Sequence, residues 1–300
     1  MISGYVVLLS AQGKTVRQFF LSRITRLYPA FWVACTGTFL VKRLWGAGAL
    51  GETQMPALLH ASLLQYGVNM TMLGEFFNVE MIDGVYWSLT IEITFYLLVA
   101  ALIGFGLLRH LTLVLALWLL YAALPGAVRG GLFLHLLFPA YAPYFAAGML
   151  LYLMQQPAGR TWQHYGLLLF SYLLALRASV GRAGSLTLLY QETISGKVVA
   201  GIVTACFVVM LLVAFRKIDL SRLTWLAWLG ALTYPLYLLH SDIGFIIFNR
   251  LAPVANKYVL LGGTLALMLA AAYVIHVCIE KRFGKVLGKQ AGRLLDALSR

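Results

Sequence analysis

Long apolar runs alternate with short polar ones along this chain, and the runs dominate the reading. They fall at Met1–Ala11, Pro29–Trp45, Val85–Leu108, Leu111–Leu124, Leu132–Met154, His164–Leu176, Gly196–Phe215, Leu223–Phe248 and Tyr258–Glu280. A membrane helix needs ~20 apolar residues. The pattern therefore predicts an all-α, polytopic membrane bundle with about nine segments, the first of them partial. The shorter stretch Pro56–Tyr66 reads as re-entrant or interfacial. No internal repeat, low-complexity linker or second soluble domain is visible.

Composition strengthens this picture. Hydrophobic residues make up 61% of the 300 and charged ones only 11%, against about half and about a quarter in ordinary soluble domains. That balance excludes a disordered chain, a nucleic-acid-binding module and a small disulfide-stapled secreted domain. Cys35, Cys206 and Cys278 are far apart in apolar runs and show no metal-ligand spacing, so they predict core packing and no metal site.

Charge then orients the chain. The net charge is +13. Cytoplasmic loops collect Lys and Arg, so topology explains most of this excess, with a bound anion as the minor alternative. An external N-terminus with alternating segments puts 15 Lys and Arg inside and 8 outside, and places the C-terminus in the cytoplasm. The longest outer loop, Gly46–Gly84, has no Lys or Arg but carries Glu52, Glu75, Glu80 and Asp83. Met1–Ala11 lacks a basic n-region before its apolar stretch and so does not read as a signal peptide. One further helix upstream would bring both termini inside.

Four clusters carry chemistry. Arg23 and Arg26, with Arg17 nearby, lie in Arg23-Ile-Thr-Arg26-Leu-Tyr28-Pro29. Three residues apart on a helix, Arg23 and Arg26 share a face. They are either a guanidinium fork for phosphate or plain positive-inside anchors. In the second cluster, Asp83-Gly84 marks a turn, and Ser88, Glu92 and Tyr96 then form a polar stripe at helical spacing. A carboxylate inside a membrane helix costs on the order of 3 kcal/mol and needs a partner or a wet cavity. Glu92 is therefore site-supporting or paired with an arginine. The third cluster is Leu232-Thr-Tyr-Pro-Leu-Tyr-Leu-Leu-His240-Ser241-Asp242, with Pro235 as an expected kink. Adjacent helical residues point about 100° apart, so His240-Ser241-Asp242 is not a catalytic triad. His240 is either a proton or acceptor contact, or a structural histidine. His60, His110, His135, His164 and His276 receive no role. The fourth cluster is Ile279-Glu280-Lys281-Arg282-Phe283, where Glu280 is expected to pair with Lys281, Arg282 or a basic loop. The tail beyond it, 284–300, is basic and amphipathic.

These residues together resemble acyltransferase family 3, a family of integral membrane acyltransferases, many of which O-acylate surface polysaccharides, lipopolysaccharide, antibiotics or signalling oligosaccharides. The resemblance runs through Arg23-x-x-Arg26-Leu-Tyr28-Pro29 and Asp83-Gly84-Val-Tyr-Trp87-Ser88-Leu-x-x-Glu92-x-x-Phe-Tyr96. Leu232–His240 is similar to the family's Ser-Tyr-Ser-Leu-Tyr-Leu-x-His segment. Ile279–Phe283 is similar to its closing Ile-Glu-Arg-Pro-Phe signature, with Lys281-Arg282 in place of Arg-Pro. Met1–Val6, with Ser3 and Gly4, matches the second half of the family's Phe-Phe-x-x-Ser-Gly-Phe-x-Ile stretch. Each match is short, but their order along residues 1–283 is specific.

The resemblance implies a ten-helix core of which this chain holds all but the first helix. That helix would precede Ser3-Gly4 and carry the histidine that acts in acyl transfer. The catalytic base is therefore expected upstream of Met1, with Glu92, Tyr96 and His240 as supporting candidates. Acyl-CoA, most simply acetyl-CoA, is the expected co-substrate, its phosphates near Arg23 and Arg26, with no bound cofactor. Ser3, Gly4, Tyr28, Pro29, Asp83, Trp87, Ser88 and Glu280 are expected as motif or structural positions. The acceptor is a hydroxyl of a carbohydrate or glycolipid, the other partner is membrane lipid, no nucleic acid is involved, and the location is a bacterial inner membrane. Two other readings stand beside this one. One is a transporter or flippase, with Glu92, His240 and Asp242 along a path. The other is an inactive truncated scaffold.

Overall fold

Thr15 and Gln18 show how local chemistry starts a helix here. Each side chain accepts the other's backbone N–H, at 3.1 and 3.3 Å, a reciprocal cap that satisfies two orphan amides. In the computed structural model, which describes residues 1–46, 61–125, 131–220 and 222–298, that cap opens a helix far ahead of the apolar run at Pro29. After α1 (Ile2–Ala11) comes α2 (Val16–Val41), with Pro29 in its interior, and then a π-helical turn, Lys42–Gly46. The first part of Pro56–Tyr66, residues 56–60, lies outside the described residues. Its end enters the short helix α3 (Leu63–Asn69), opened by the same kind of reciprocal cap between Ser62 and Gln65.

The middle of the chain holds α4 (Trp87–Gly104), led in by a 3₁₀ turn at Gly84–Tyr86, and α5 (Leu111–Ala123). The run Leu132–Met154 is not continuous. It forms α6 (Leu132–Leu137) and α7 (Ala142–Met154), split at Phe138, which adopts a left-handed φ of 30° before Pro139. The helix α8 (Trp162–Tyr190) is longer than expected. It passes straight through Arg177 and Arg182, whose charges mark the end of the apolar run in the sequence. Long arginine stems let a helix continue past such positions. Then follow α9 (Gly196–Ala214), α10 (Thr224–Leu239), α11 (Asp242–Leu251), α12 (Lys257–Val274), a π-helical stretch at Ile275–Glu280, and α13 (Lys281–Leu298). No strand occurs among the described residues.

Among the described residues, four helical segments are long and apolar enough to cross a membrane: Gly84–Gly104, Trp162–Leu189, Gly196–Ala214 and Lys257–Ala291. The bent pair α10 and α11, at 64°, makes a fifth if it counts as one span. The expected nine segments shrink to this number because Ile2–Ala11, Leu107–Ala123 and Ala142–Met154 are apolar but short, and because α2 carries Arg17, Arg23 and Arg26 in its first half.

The chain forms two units. The first is Met1–Phe19 with Thr94–Arg222, and the second is Phe20–Ile93 with Leu223–Arg300. In the first unit, α1 lies on α7 at contact distance. A Cβ at Gly4 would come within 2.1 Å of the Phe145 carbonyl oxygen, and one at Gly148 within 2.0 Å of the Met1 carbonyl oxygen. This is why Gly4 stands in its motif: the backbones meet where any side chain would part them. The rings of Phe95, Trp118, Phe138 and Phe145 stack and tilt on one another at 4.5 to 6.3 Å. Tyr96 is buried in this unit, edge-on to Phe19 at 6.3 Å. The second unit holds the other sequence motifs.

Candidate active site

The loop ahead of α4 sets up the site in the second unit. Asn69 is buried and ties it together, donating to the carbonyls of Gln65 and Glu80 and accepting the Ile82 amide. Tyr28 and Trp32, on α2, donate to the carbonyls of Thr71 and Met70. Thr90 donates to the Met72 carbonyl at 3.0 Å. Asp83 is thereby held, fully buried, at the N-terminus of Gly84–Tyr86.

Its carboxylate does two things. One oxygen caps the turn by accepting the Val85 amide at 3.1 Å. The other accepts the amide of Asp242 at 3.1 Å. Asp242 returns the contact, accepting the Gly84 amide at 3.3 Å. The amide of Asp242 would ordinarily bond the Leu238 carbonyl one turn back. Here that carbonyl accepts the Tyr86 hydroxyl instead, at 3.2 Å. Two tertiary bonds thus replace one helical bond, and α10 ends at Leu239. This is the origin of the 64° bend, which falls at His240-Ser241 rather than at Pro235, the position the sequence suggests; Pro235 sits buried inside α10.

Buried Asp83 and half-buried Asp242 together need a cation. Lys42, at the end of α2 and only 3% exposed, meets Asp242 Oδ2 at 2.5 Å. Asp83 lies just before the span Gly84–Gly104. Burial, and then the Asp242 charge, push its carboxyl up to about 6, while the Val85 and Asp242 amides and Lys42 pull the other way. The sequence offers a signal for Lys42 and Asp242: a lysine and an aspartate at the ends of apolar runs, each too costly in a membrane to stand alone.

Around this knot the motifs meet. Tyr237 donates to the Val85 carbonyl at 2.7 Å, and its oxygen lies 2.6 Å from the Ser88 hydroxyl. Tyr234 donates to the Leu27 carbonyl at 3.0 Å. Tyr237 and Tyr234 therefore join the third motif to the second and to the first. His240 is exposed, with Nδ1 at 2.9 Å from the Tyr237 carbonyl. A carbonyl can only accept, so Nδ1 carries a proton in this contact and Nε2 of the neutral ring is left as an acceptor. His240 lies on a groove of about 570 Å³, with Thr233, Tyr237 and Thr264 among its polar lining and Phe248, Leu261 and Met268 on its apolar wall. The Thr264 hydroxyl is buried and makes no hydrogen bond.

The fourth motif joins the first. A Cβ at Gly284 would stand 3.2 Å from the Thr25 carbonyl oxygen, the acceptor that Pro29, having no N–H, leaves open. Gly288 approaches the same threonine. Between Pro29, Trp32 and Val33 on α2 and Ile279, Phe283 and Leu287 opposite lies a second cavity of about 280 Å³. Arg26 is exposed, whereas Arg23 on the same helix is only 8% exposed, so the two are not an open fork. Lys281, Arg282 and Lys289 are exposed on α13. Glu280 does not pair with Lys281 or Arg282 but with His276 at 2.5 Å, one helical turn back. Ser88 and Glu92 lie in this unit and Trp87 is exposed, while Tyr96 belongs to the other unit. No group of three metal-ligating side chains occurs among the described residues.

A family model described as an acyltransferase domain matches residues 1–279, nearly the whole chain. The chain belongs to acyltransferase family 3. Comparison with curated proteins and with solved structures returns no match. Family membership and the apolar spanning helices together make this an integral membrane protein of an acyltransferase family. The family 3 assignment covers α1, whose Ser3-Gly4 is the packing point on α7, as well as the knot that Asp83, Lys42 and Asp242 form in the second unit.

Proposed function

We propose that this family 3 acyltransferase moves an acyl group, most simply acetyl, from acyl-CoA to a hydroxyl of a carbohydrate or glycolipid. The observation that carries the reading is the cavity between α2 and the helical stretch continuing into α13, with exposed Arg26 one turn before Pro29 and exposed Lys281, Arg282 and Lys289 on the facing helix. Guanidinium and ammonium groups bind the phosphates of CoA. The apolar lining of Trp32, Val33 and Phe283 suits the uncharged remainder of the donor. In the reaction the acceptor oxygen attacks the thioester carbonyl carbon, the carbon–sulfur bond breaks, and CoA leaves as the thiol. The hydroxyl proton passes to a base, a role that the family resemblance gives to a histidine on a helix before Ser3-Gly4. His240 Nε2 is the acceptor-side contact, poised to accept a hydrogen bond from the incoming hydroxyl. The knot at Asp83, Lys42 and Asp242 fixes the bend that presents His240, and Glu92 supports it. The membrane is a bacterial inner membrane, with α13 and the donor on its cytoplasmic side.

The test uses the full-length form, with the histidine-bearing helix that the resemblance places before Ser3-Gly4, in membranes with labelled acetyl-CoA. Replacing Arg26 by Ala is expected to cut label transfer to glycan more than tenfold, mainly through KM for acetyl-CoA, with insertion unchanged, and Arg26→Lys is expected to recover part of it. Undiminished transfer by Arg26→Ala overturns the donor assignment. Gradient-driven uptake of a solute without transfer supports a carrier instead.

A further inference from the structure

The first unit contains a cavity of about 600 Å³ that the acyl-transfer reading does not use. Its lining includes Arg177, Arg182, Ser179 and Ser185, all on α8. The rest is largely apolar, with Leu174, Leu186 and Val199 among the wall residues. Tyr144 crosses it to share a hydrogen bond with Ser179. Both arginines are exposed. No ion pair to either is present among the described residues. The whole first unit has only two carboxylate residues in its sequence, Glu192 and Asp219, and neither lines the cavity.

Depth along the helix gives these arginines a location. At 1.5 Å per residue, Arg182 lies roughly 30 Å from Trp162, which is the thickness of a bilayer's hydrocarbon core. Arg177 is about one and a half turns short of it and reaches the same level by its stem. Trp162 is exposed, and an exposed tryptophan at the head of an apolar span suits a membrane–water interface; with it at one surface, the two guanidiniums stand at the other, above an apolar wall. A guanidinium pair at headgroup height over an apolar wall fits a phosphate attached to hydrocarbon tails.

We propose that this cavity binds the phosphate of an anionic membrane lipid, with Arg177 and Arg182 on the phosphate oxygens, Ser179 and Ser185 as neutral partners, and the tails along Leu174 and Val199. The site is independent of the donor and acceptor assignments in the second unit.

The test is native mass spectrometry of the full chain in detergent with phosphatidylglycerol and phosphatidylcholine of identical tails. Phosphatidylglycerol is expected to be retained at least tenfold better. The Arg177→Gln/Arg182→Gln variant is expected to bring it down to the phosphatidylcholine level, while Arg177→Lys/Arg182→Lys keeps most of it. Should the Gln variant fail to fold, as judged by its melting curve, Leu174→Trp leaves both charges in place, fills the wall, and is expected to expel the lipid. Equal retention of the two lipids, or undiminished phosphatidylglycerol binding by the Gln variant or by Leu174→Trp, overturns the proposal. So does displacement of the lipid by millimolar inorganic phosphate, which would make this a site for a soluble anion.

Discussion

The two units solve the problem of charge in a membrane in opposite ways. The second unit has 12 Lys and Arg against 8 Asp and Glu in its sequence, and several charges at its motifs answer one another. Lys42 meets Asp242, Asp242 and Asp83 exchange backbone bonds, and Glu280 meets His276. The first unit has 11 Lys and Arg against 2 carboxylates. Its interior is held by backbone contact at Gly4 and Gly148 and by a ring cluster, with its cations left on the outside. Polar networks specify a geometry only when every member is satisfied. The unit with the motifs thus closes charges on one another, whereas the other closes its interior by shape and by neutral hydrogen bonds such as that from Ser171 to the Pro143 carbonyl. The prediction follows that the second unit fails by loss of a partner and the first by intrusion of an atom.

The largest effect is expected at Lys42. Removing one partner of a buried pair costs about 3–5 kcal/mol, because a charge is left without compensation. Lys42→Met leaves Asp83 and Asp242 facing each other, and the melting temperature of the purified chain should fall steeply. Adding Asp242→Asn should restore most of the loss, since Asn still offers an oxygen to the Gly84 amide. A double variant no better than the single one would show that the pair is not the source of the cost.

Next comes Gly148→Val. The new Cβ would stand 2.0 Å from the Met1 carbonyl oxygen and 2.8 Å from the Tyr5 nitrogen, so α1 must move away. Overpacking of this kind costs about 1–3 kcal/mol. Hydrogen exchange should rise across Met1–Ala11 while Asp83–Ser88 stays protected. Gly166→Ala, where nothing lies within 4 Å of the added Cβ, is the control, expected to stabilise by up to ~1 kcal/mol. Equal exchange in both variants would contradict backbone contact as the glue of this unit.

How much of this is legible in the sequence follows the same division. The all-helical architecture can be read from run length, and α1, α5 and α9 sit within a residue or so of their expected ends. The misplaced boundaries share one cause: polar residues inside helices. Arg17 to Arg26 hide the start of α2, although Thr15 and Gln18 offer a cap, and Arg177 and Arg182 hide the continuation of α8. The break at Phe138 is local, just ahead of Pro139, whereas the break at Ser241 is tertiary in origin. Nothing near His240 in the chain says that Tyr86 will take the Leu238 carbonyl. Asp83, Ser88 and Tyr28 stand out by motif and lie where the motifs meet. Tyr237 stands in the third motif and Lys42 is marked only by its charge in an apolar run, and neither mark names the partner, 149 and 200 positions away. Arg23 and Arg26 share a helix face by spacing, yet burial separates them, and spacing carries no information about what covers a face.

The smallest effect tests the comparison through pH. Asp83 is held at about 6, above its usual 3.8, by burial and by the Asp242 charge. A carboxyl with a raised folded-state value binds its proton more tightly folded than unfolded. Its contribution to stability is therefore complete below about pH 4 and is lost as the pH rises through about 6. The expected change is a few degrees of melting temperature. The wild-type chain should melt progressively lower between pH 4 and pH 7. Asp83→Asn, which cannot titrate, should lack that component, so the difference between the two curves isolates it from the histidines. The drop belongs to the second unit alone: exchange of amides around Tyr86 and Leu238 should follow it, and exchange across α7 should not. A difference curve that is flat, or that rises with pH, would mean that Lys42 governs Asp83 as well as Asp242, and that both carboxylates of the knot stay charged throughout.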